Sequence, residues 1–127
     1  MQRGEYESLF HWNHLDWIFP DAARKAAFEK GQYWKGAMAA GFKLDRDGNY
    51  YLSVPRWAPG IPATVNKIEV VDGKPMLSAY PSWEMNEIGN PAALQSVLGW
   101  EIDENNIAWF LDQGHIEGQP CIDGAQK

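Results

Sequence analysis

Cysteine is nearly absent from this chain. Cys121 is the only one in 127 residues, so no disulfide forms within it. An excess of basic charge is absent too. Eleven Lys and Arg stand against seventeen Asp and Glu, which gives a net charge of -6 and a pI near 4.9. Nucleic acid demands a basic face and an anionic membrane a basic run, so neither is an expected partner. No apolar stretch approaches the ~20 residues of a membrane helix. Residues 1–9 lack the basic start and apolar core of a signal peptide. No Gly-rich phosphate loop, nucleophile elbow or redox cysteine pair occurs.

What remains is the composition of a soluble globular domain, 45% hydrophobic with a mean hydropathy of -0.46. At this length a real core is possible. Aromatic residues are abundant, with seven Trp, five Tyr and five Phe. Such rings suit β-rich cores or sites that stack flat ligands.

The stretch 55–65 is the most unusual segment. Pro55, Pro59 and Pro62 with Gly60 forbid a helix, yet strand-like runs flank it at 49–54 and 64–71. A simple reversal needs only two residues of Asn-Gly type. The stretch is therefore a rigid connection presenting Arg56 and Trp57. They are candidate ligand-binding residues, the guanidinium for a carboxylate and the indole for a ring. The structural alternative is a clamp onto the neighbouring unit.

Upstream, 8–19 alternates imperfectly and reads as one or two short strands ended by Pro20. In a strand His11 and His14 point to opposite faces, which argues against a shared metal. Asp21 is a good N-cap for a helix over 22–30, with Gly31 as its stop. From Gly36 the pattern turns to strands near 37–44, 49–55, 64–71 and 76–80. Turns are expected at Asp45-Arg46-Asp47-Gly48 and Asp72-Gly73-Lys74-Pro75. Pro75 and Pro81 confine their strand ends to edges or bulges. The stretch 90–97 reads as either a short helical turn or a loop.

Two segments match when overlaid. Gly41-Phe42-Lys43-Leu44-Asp45 corresponds to Gly99-Trp100-Glu101-Ile102-Asp103, 58 residues on, and Tyr51-Leu52 to Trp109-Phe110. A four-stranded antiparallel unit repeated at this period is the signature of a β-propeller. The expected division is a closing strand and helix at 1–35, a first blade at 36–95 and the start of a second at 96–127. A propeller ring needs four to eight blades, so the chain is expected to be part of a larger protein whose remaining blades are its partners. A single sandwich of about eight strands is the alternative that length permits.

Near the chain's end, Asp112 and His115 form a candidate acid/base or ligand-binding pair, three positions apart after a returning strand. The structural alternative has Asp112 capping the turn at Gly114. No other His, Cys or carboxylate grouping has metal-ligand spacing. No metal or cofactor is expected, and no catalytic residue is named.

Several ordered motifs together resemble the N-terminal part of the Yellow/major royal jelly protein family. They are Leu15-Asp16-Trp17, Phe19-Pro20, Lys30-Gly31-Gln32-Tyr33, Val54-Pro55-Arg56-Trp57, Gly60-Ile61-Pro62-Ala63-Thr64, Tyr80-Pro81-Ser82-Trp83-Glu84 and Trp109-Phe110-Leu111-Asp112-Gln113-Gly114. The resemblance implies an all-β fold, here the first one to two blades of a six-bladed propeller with one short N-terminal helix. Residues 9–18 are then expected to close the ring on the last blade and to stand unpaired in this chain. For function it implies a dopachrome-converting isomerase. The alternatives are a non-catalytic binder of small aromatic amines or structural secreted protein, and a gluconolactonase-like lactone hydrolase. It also implies an extracellular or periplasmic location. A family cysteine corresponds to Asn105 here, and its usual partner matches Cys121. A further family cysteine before Ser96-Val97 is absent. These losses fit a bacterial-type member or a less oxidising compartment.

Overall fold

The computed structural model describes residues 4–125. It is mostly β, with one short helix and two antiparallel sheets. Strands β1 (Phe42–Leu44), β2 (Tyr50–Ser53), β3 (Val65–Val71) and β4 (Lys74–Ala79) form a four-stranded sheet in chain order. The single antiparallel sheet expected within 37–80 is therefore present. Strands β5 (Val97–Ile102) and β6 (Ala108–Asp112) pair separately, with an irregularity between Val97 and Trp100. The ambiguous stretch 90–97 resolves into turns, with the Ala93 amide bonded to the Asn90 carbonyl, before β5 begins.

Alternation of side chains gives the four-stranded sheet two apolar faces. Leu52, Ile68 and Leu77 point to one face, where Leu15, Trp17, Phe28 and Ile61 complete a buried cluster. Tyr51 and Val65 point to the other and pack with Leu94, Val97 and Trp100 of the second unit. The order of layers is thus N-terminal segment with helix, then the four-stranded sheet, then β5–β6.

Helix α1 (Ala22–Gly31) starts as its sequence dictates. The Asp21 carboxylate accepts from the Arg24 amide at 2.8 Å, satisfying one of the free N-terminal donors. Its end differs from expectation: Gln32, at φ 50°, takes the left-handed position that Gly31 was expected to hold. Gly31 serves space instead, since a Cβ there would stand 2.4 Å from the Tyr33 ring.

The second hairpin is tighter than expected. Its turn is Asp72-Gly73, both at positive φ, so Pro75 lies within β4 opposite Val70. Leu77, two residues on, directs its backbone groups to the outer side. The missing amide of Pro75 therefore faces that outer edge, where no ladder partner in the sheet is lost.

The N-terminal segment corrects the sequence reading most. Residues 8–16 form no strand, and 9–18 does not stand unpaired. Trp17 makes a parallel bridge to Leu77 on the outer edge of β4. The Ile18 amide donates to the Leu77 carbonyl at 2.8 Å, and the Leu77 amide to the Asp16 carbonyl at 2.9 Å. Two forces select this path. An open strand edge offers unpaired donors and acceptors, and the Trp17 indole buries there while donating to Asn66 Oδ1 at 2.7 Å. His11 and His14 consequently lie in irregular chain, with the His14 ring 5.1 Å from that of Trp34.

Candidate functional site

Arg56 sits at the centre of the 55–65 loop's attachment, only 1% exposed. All five of its side-chain N–H groups meet backbone carbonyls. Nε donates to Ile61, one terminal nitrogen to Leu94 and Gln95, and the other to Pro62 and Asn86. Burial pulls its pKa down to about 10, partly countered by the Asp112 carboxylate. No donor remains to fork onto a ligand carboxylate, and the geometry is that of the clamp. Asn86 reinforces it: Oδ1 accepts the Thr64 and Val65 amides, and Nδ2 donates to the Tyr80 and Ser82 carbonyls. Thr64 Oγ1 accepts the Val97 amide at 2.8 Å and so ties the loop's far end to β5.

The other candidate residues part company. Trp57 is 42% exposed and its indole donates to Gln113 Oε1 at 3.2 Å. Asp112 is buried, accepting from the Gln95, Ser96 and Gly114 amides at 2.8 to 2.9 Å. The cap at Gly114 is therefore present, extended to two more amides. His115 is exposed and lies 3.5 Å from the Cys121 sulfur. These contacts hold Asp112 against the backbone while His115 faces Cys121.

The β1–β2 and β5–β6 turns use one device at the repeat interval. Asp45 accepts from the Asp47 and Asn49 amides and from the Tyr51 hydroxyl at 2.8 Å. Asp103 accepts from the Asn105 and Ile107 amides and from the Trp109 indole at 2.8 Å. Desolvation acts to raise the Asp45 pKa, but bonds from Asn49, Tyr51 and Asp47 outweigh it and hold it at about 2. The Trp109 indole, with the Ile107 and Asn105 amides, likewise lowers Asp103. The two turns also touch. Lys43 reaches Glu101 at 3.0 Å, Arg46 donates to the Glu104 carbonyl, and Asn106 Oδ1 accepts the Arg46 amide.

A cleft of about 380 Å³ opens between α1, the 55–65 loop and the Trp83 segment. Phe28 and Ile61 are buried at its base. The Tyr33 ring forms one side because Gly60 lets it approach: a Cβ at Gly60 would stand 2.1 Å from that ring. Arg24 stands over the Trp83 indole, 5.8 Å from its centre, and Glu84 and Glu87 complete the rim. Sequence reading missed this cleft. Its one local signal was the motif Tyr80-Pro81-Ser82-Trp83-Glu84, and nothing local says that helix α1 faces it.

A comparison with protein-family models finds no match. Comparison with curated proteins finds clear relatives over 117 residues, 87% of this chain. The identity is 36% to Protein yellow of Drosophila pseudoobscura pseudoobscura, 35% to Protein yellow of Drosophila erecta and 34% to Protein yellow of Drosophila simulans. The chain spans about one fifth of the length of these relatives, 20% to 21%. Over that stretch, the chain belongs to the Yellow/major royal jelly protein family.

Proposed function

We propose that residues 36–95 are the first blade and 96–127 the opening of the second blade of a six-bladed propeller, entered through the helix-bearing segment 1–35. The observation that supports it most is the duplicated turn, whose equivalent residues meet side by side as Lys43 meets Glu101. Neighbouring blades of a radial repeat bring equivalent positions together in this way. Ile107, Trp109 and Leu111 stand 49%, 62% and 68% exposed on and beside β6. Further strands of the second blade are the natural cover for them. The remaining blades are thus the first partner of this segment.

For the complete protein we propose an extracellular or periplasmic binder of small aromatic amines. Arg56 and Asp112, the buried ionisable groups of the recurring motifs, are engaged by backbone groups, which suits a scaffold better than acid/base work in this segment. The family likeness favours a second reading, dopachrome conversion, with catalytic groups drawn from the rest of the ring. The test is full-length protein titrated with dopamine by calorimetry and incubated with dopachrome under absorbance. Micromolar binding without turnover is the expected result. Turnover above the buffer rate overturns the binder reading for the isomerase, and chelator-sensitive lactone hydrolysis overturns both.

A further inference from the structure

The cleft beside α1 has a chemistry that the clamp and the paired turns do not use. Trp83 and Phe19 stand nearly parallel, their ring centres 6.1 Å apart and their planes 22° from coplanar. With Phe28 and Ile61 beneath, they make an apolar slot of about 380 Å³. That is the low end of small-molecule pockets, suited to one ring system on a short chain.

Charges of both signs ring the slot. Arg24 lines the cleft at an exposed position, and its Nε meets Asp21 at 3.3 Å. Glu84 and Glu87 line the same cleft. Bonds from its own amide and from the Ser82 hydroxyl lower the Glu84 pKa, and the Arg24 charge adds to this, so it is ionised at neutral pH. Asp21 offsets part of the Arg24 charge, so a simple cation meets a weakened repulsion from Arg24, while a simple anion meets repulsion from Glu84 and Glu87. A ring carrying one charge of each sign meets neither penalty unopposed.

We infer that this cleft binds a zwitterionic aromatic amino acid. The ring enters the slot beside Trp83, the α-carboxylate forks onto Arg24, and the α-ammonium faces Glu84 and Glu87. Every group involved lies in this segment, so the inference stands apart from the propeller and amine-binding readings. Failure of dopamine to bind leaves it untouched.

The test is calorimetry on the full-length protein with phenylalanine, phenethylamine and 3-phenylpropanoate as probes. Phenylalanine is expected to bind, and loss of either charge to weaken binding at least about tenfold. Ala27→Trp, on an exposed helix position lining the cleft, fills the slot and removes phenylalanine binding with the melting temperature retained. Arg24→Gln, also at an exposed position, erases the preference for phenylalanine over phenethylamine. No binding by the unaltered protein, equal affinity in a folded Ala27→Trp, or phenethylamine matching phenylalanine each overturns the inference.

Discussion

Replacing Arg56 by leucine keeps the side chain's apolar bulk and removes all five bonds to the carbonyls of Ile61, Pro62, Asn86, Leu94 and Gln95. Hydrogen bonds to a charged group contribute roughly 1.5–3 kcal/mol each, yet the five do not simply add. The guanidinium itself bears a desolvation cost, visible in its fall to about 10, and its removal relieves that cost. Buried carbonyls left without a donor cost about 1–3 kcal/mol each, and with the relieved desolvation set against them the net loss is on the order of 4 kcal/mol. Against a total of ~5–15 kcal/mol for a domain, that loss brings the fold close to its threshold. Lysine is the informative second variant. Its three donors leave at least two of the five carbonyls without a partner, so Arg56→Lys is expected to retain less than half of the contribution. Urea unfolding followed by tryptophan fluorescence measures both. A loss under ~1 kcal/mol in Arg56→Leu would refute the clamp and return Arg56 to the candidates for ligand binding.

The paired turns predict a pH dependence with a definite sign. Asp45 has its folded pKa depressed from 3.8 to about 2, so its contribution is complete above pH ~4 and is lost as pH falls through 2. The urea midpoint should drop over that window, and Asp45→Asn should flatten the drop; an unchanged profile in the variant contradicts the assignment. Gly60→Ala meets both a positive φ of 76° and the Tyr33 ring, whereas Gly48→Ala meets only a φ of 84° in open space. Thermal melts should show about 1 kcal/mol lost at Gly48 and clearly more at Gly60; equal losses would mean that the ring yields freely. Asp112→Asn should cost about 1–3 kcal/mol, because one amide oxygen replaces a carboxylate serving three donors. His115→Ala, at an exposed position, should stay within ~0.5 kcal/mol of the parent in the same denaturation series. A large loss there would show that His115 supports the fold.

The hairpins were legible because their signals are local. A strand that alternates every second residue, broken by an Asp-led turn, carries its own register. That is why the interval from Asp45 to Asp103 could be read from composition and then reappeared as matching carboxylate bonds. The helix start was legible for the same reason, since Asp21 lies within three residues of the amide it caps. The helix end was not. Gly31 looked like a stop signal, but the Tyr33 ring required its missing Cβ. A glycine needed for space and a glycine needed for φ look identical in sequence. The bridge from Trp17 to Leu77 was illegible because its two sides lie 60 residues apart and alternation in 8–19 says nothing of a partner.

The same distinction explains why Arg56 reads ambiguously in sequence and plainly in space. Arginine beside tryptophan in a proline-rich loop has the composition of a recognition element, and only the positions of its acceptors decide the matter. Those acceptors come from the loop itself and from 86–95, the stretch that leads into the second unit. The loop is rigid because prolines limit its backbone, and rigidity lets one guanidinium meet five carbonyls at once with little conformational entropy left to lose. Recognition chemistry therefore has to lie where aromatic and charged groups remain open. On this segment that place is not the front of the loop at Arg56 but its back, where Gly60 and Ile61 turn toward α1 and Trp83. One loop thus joins the two units on one side and shapes a cleft on the other. Variants at Arg56 and at Ala27 should accordingly separate the two roles, the first read in stability and the second in binding.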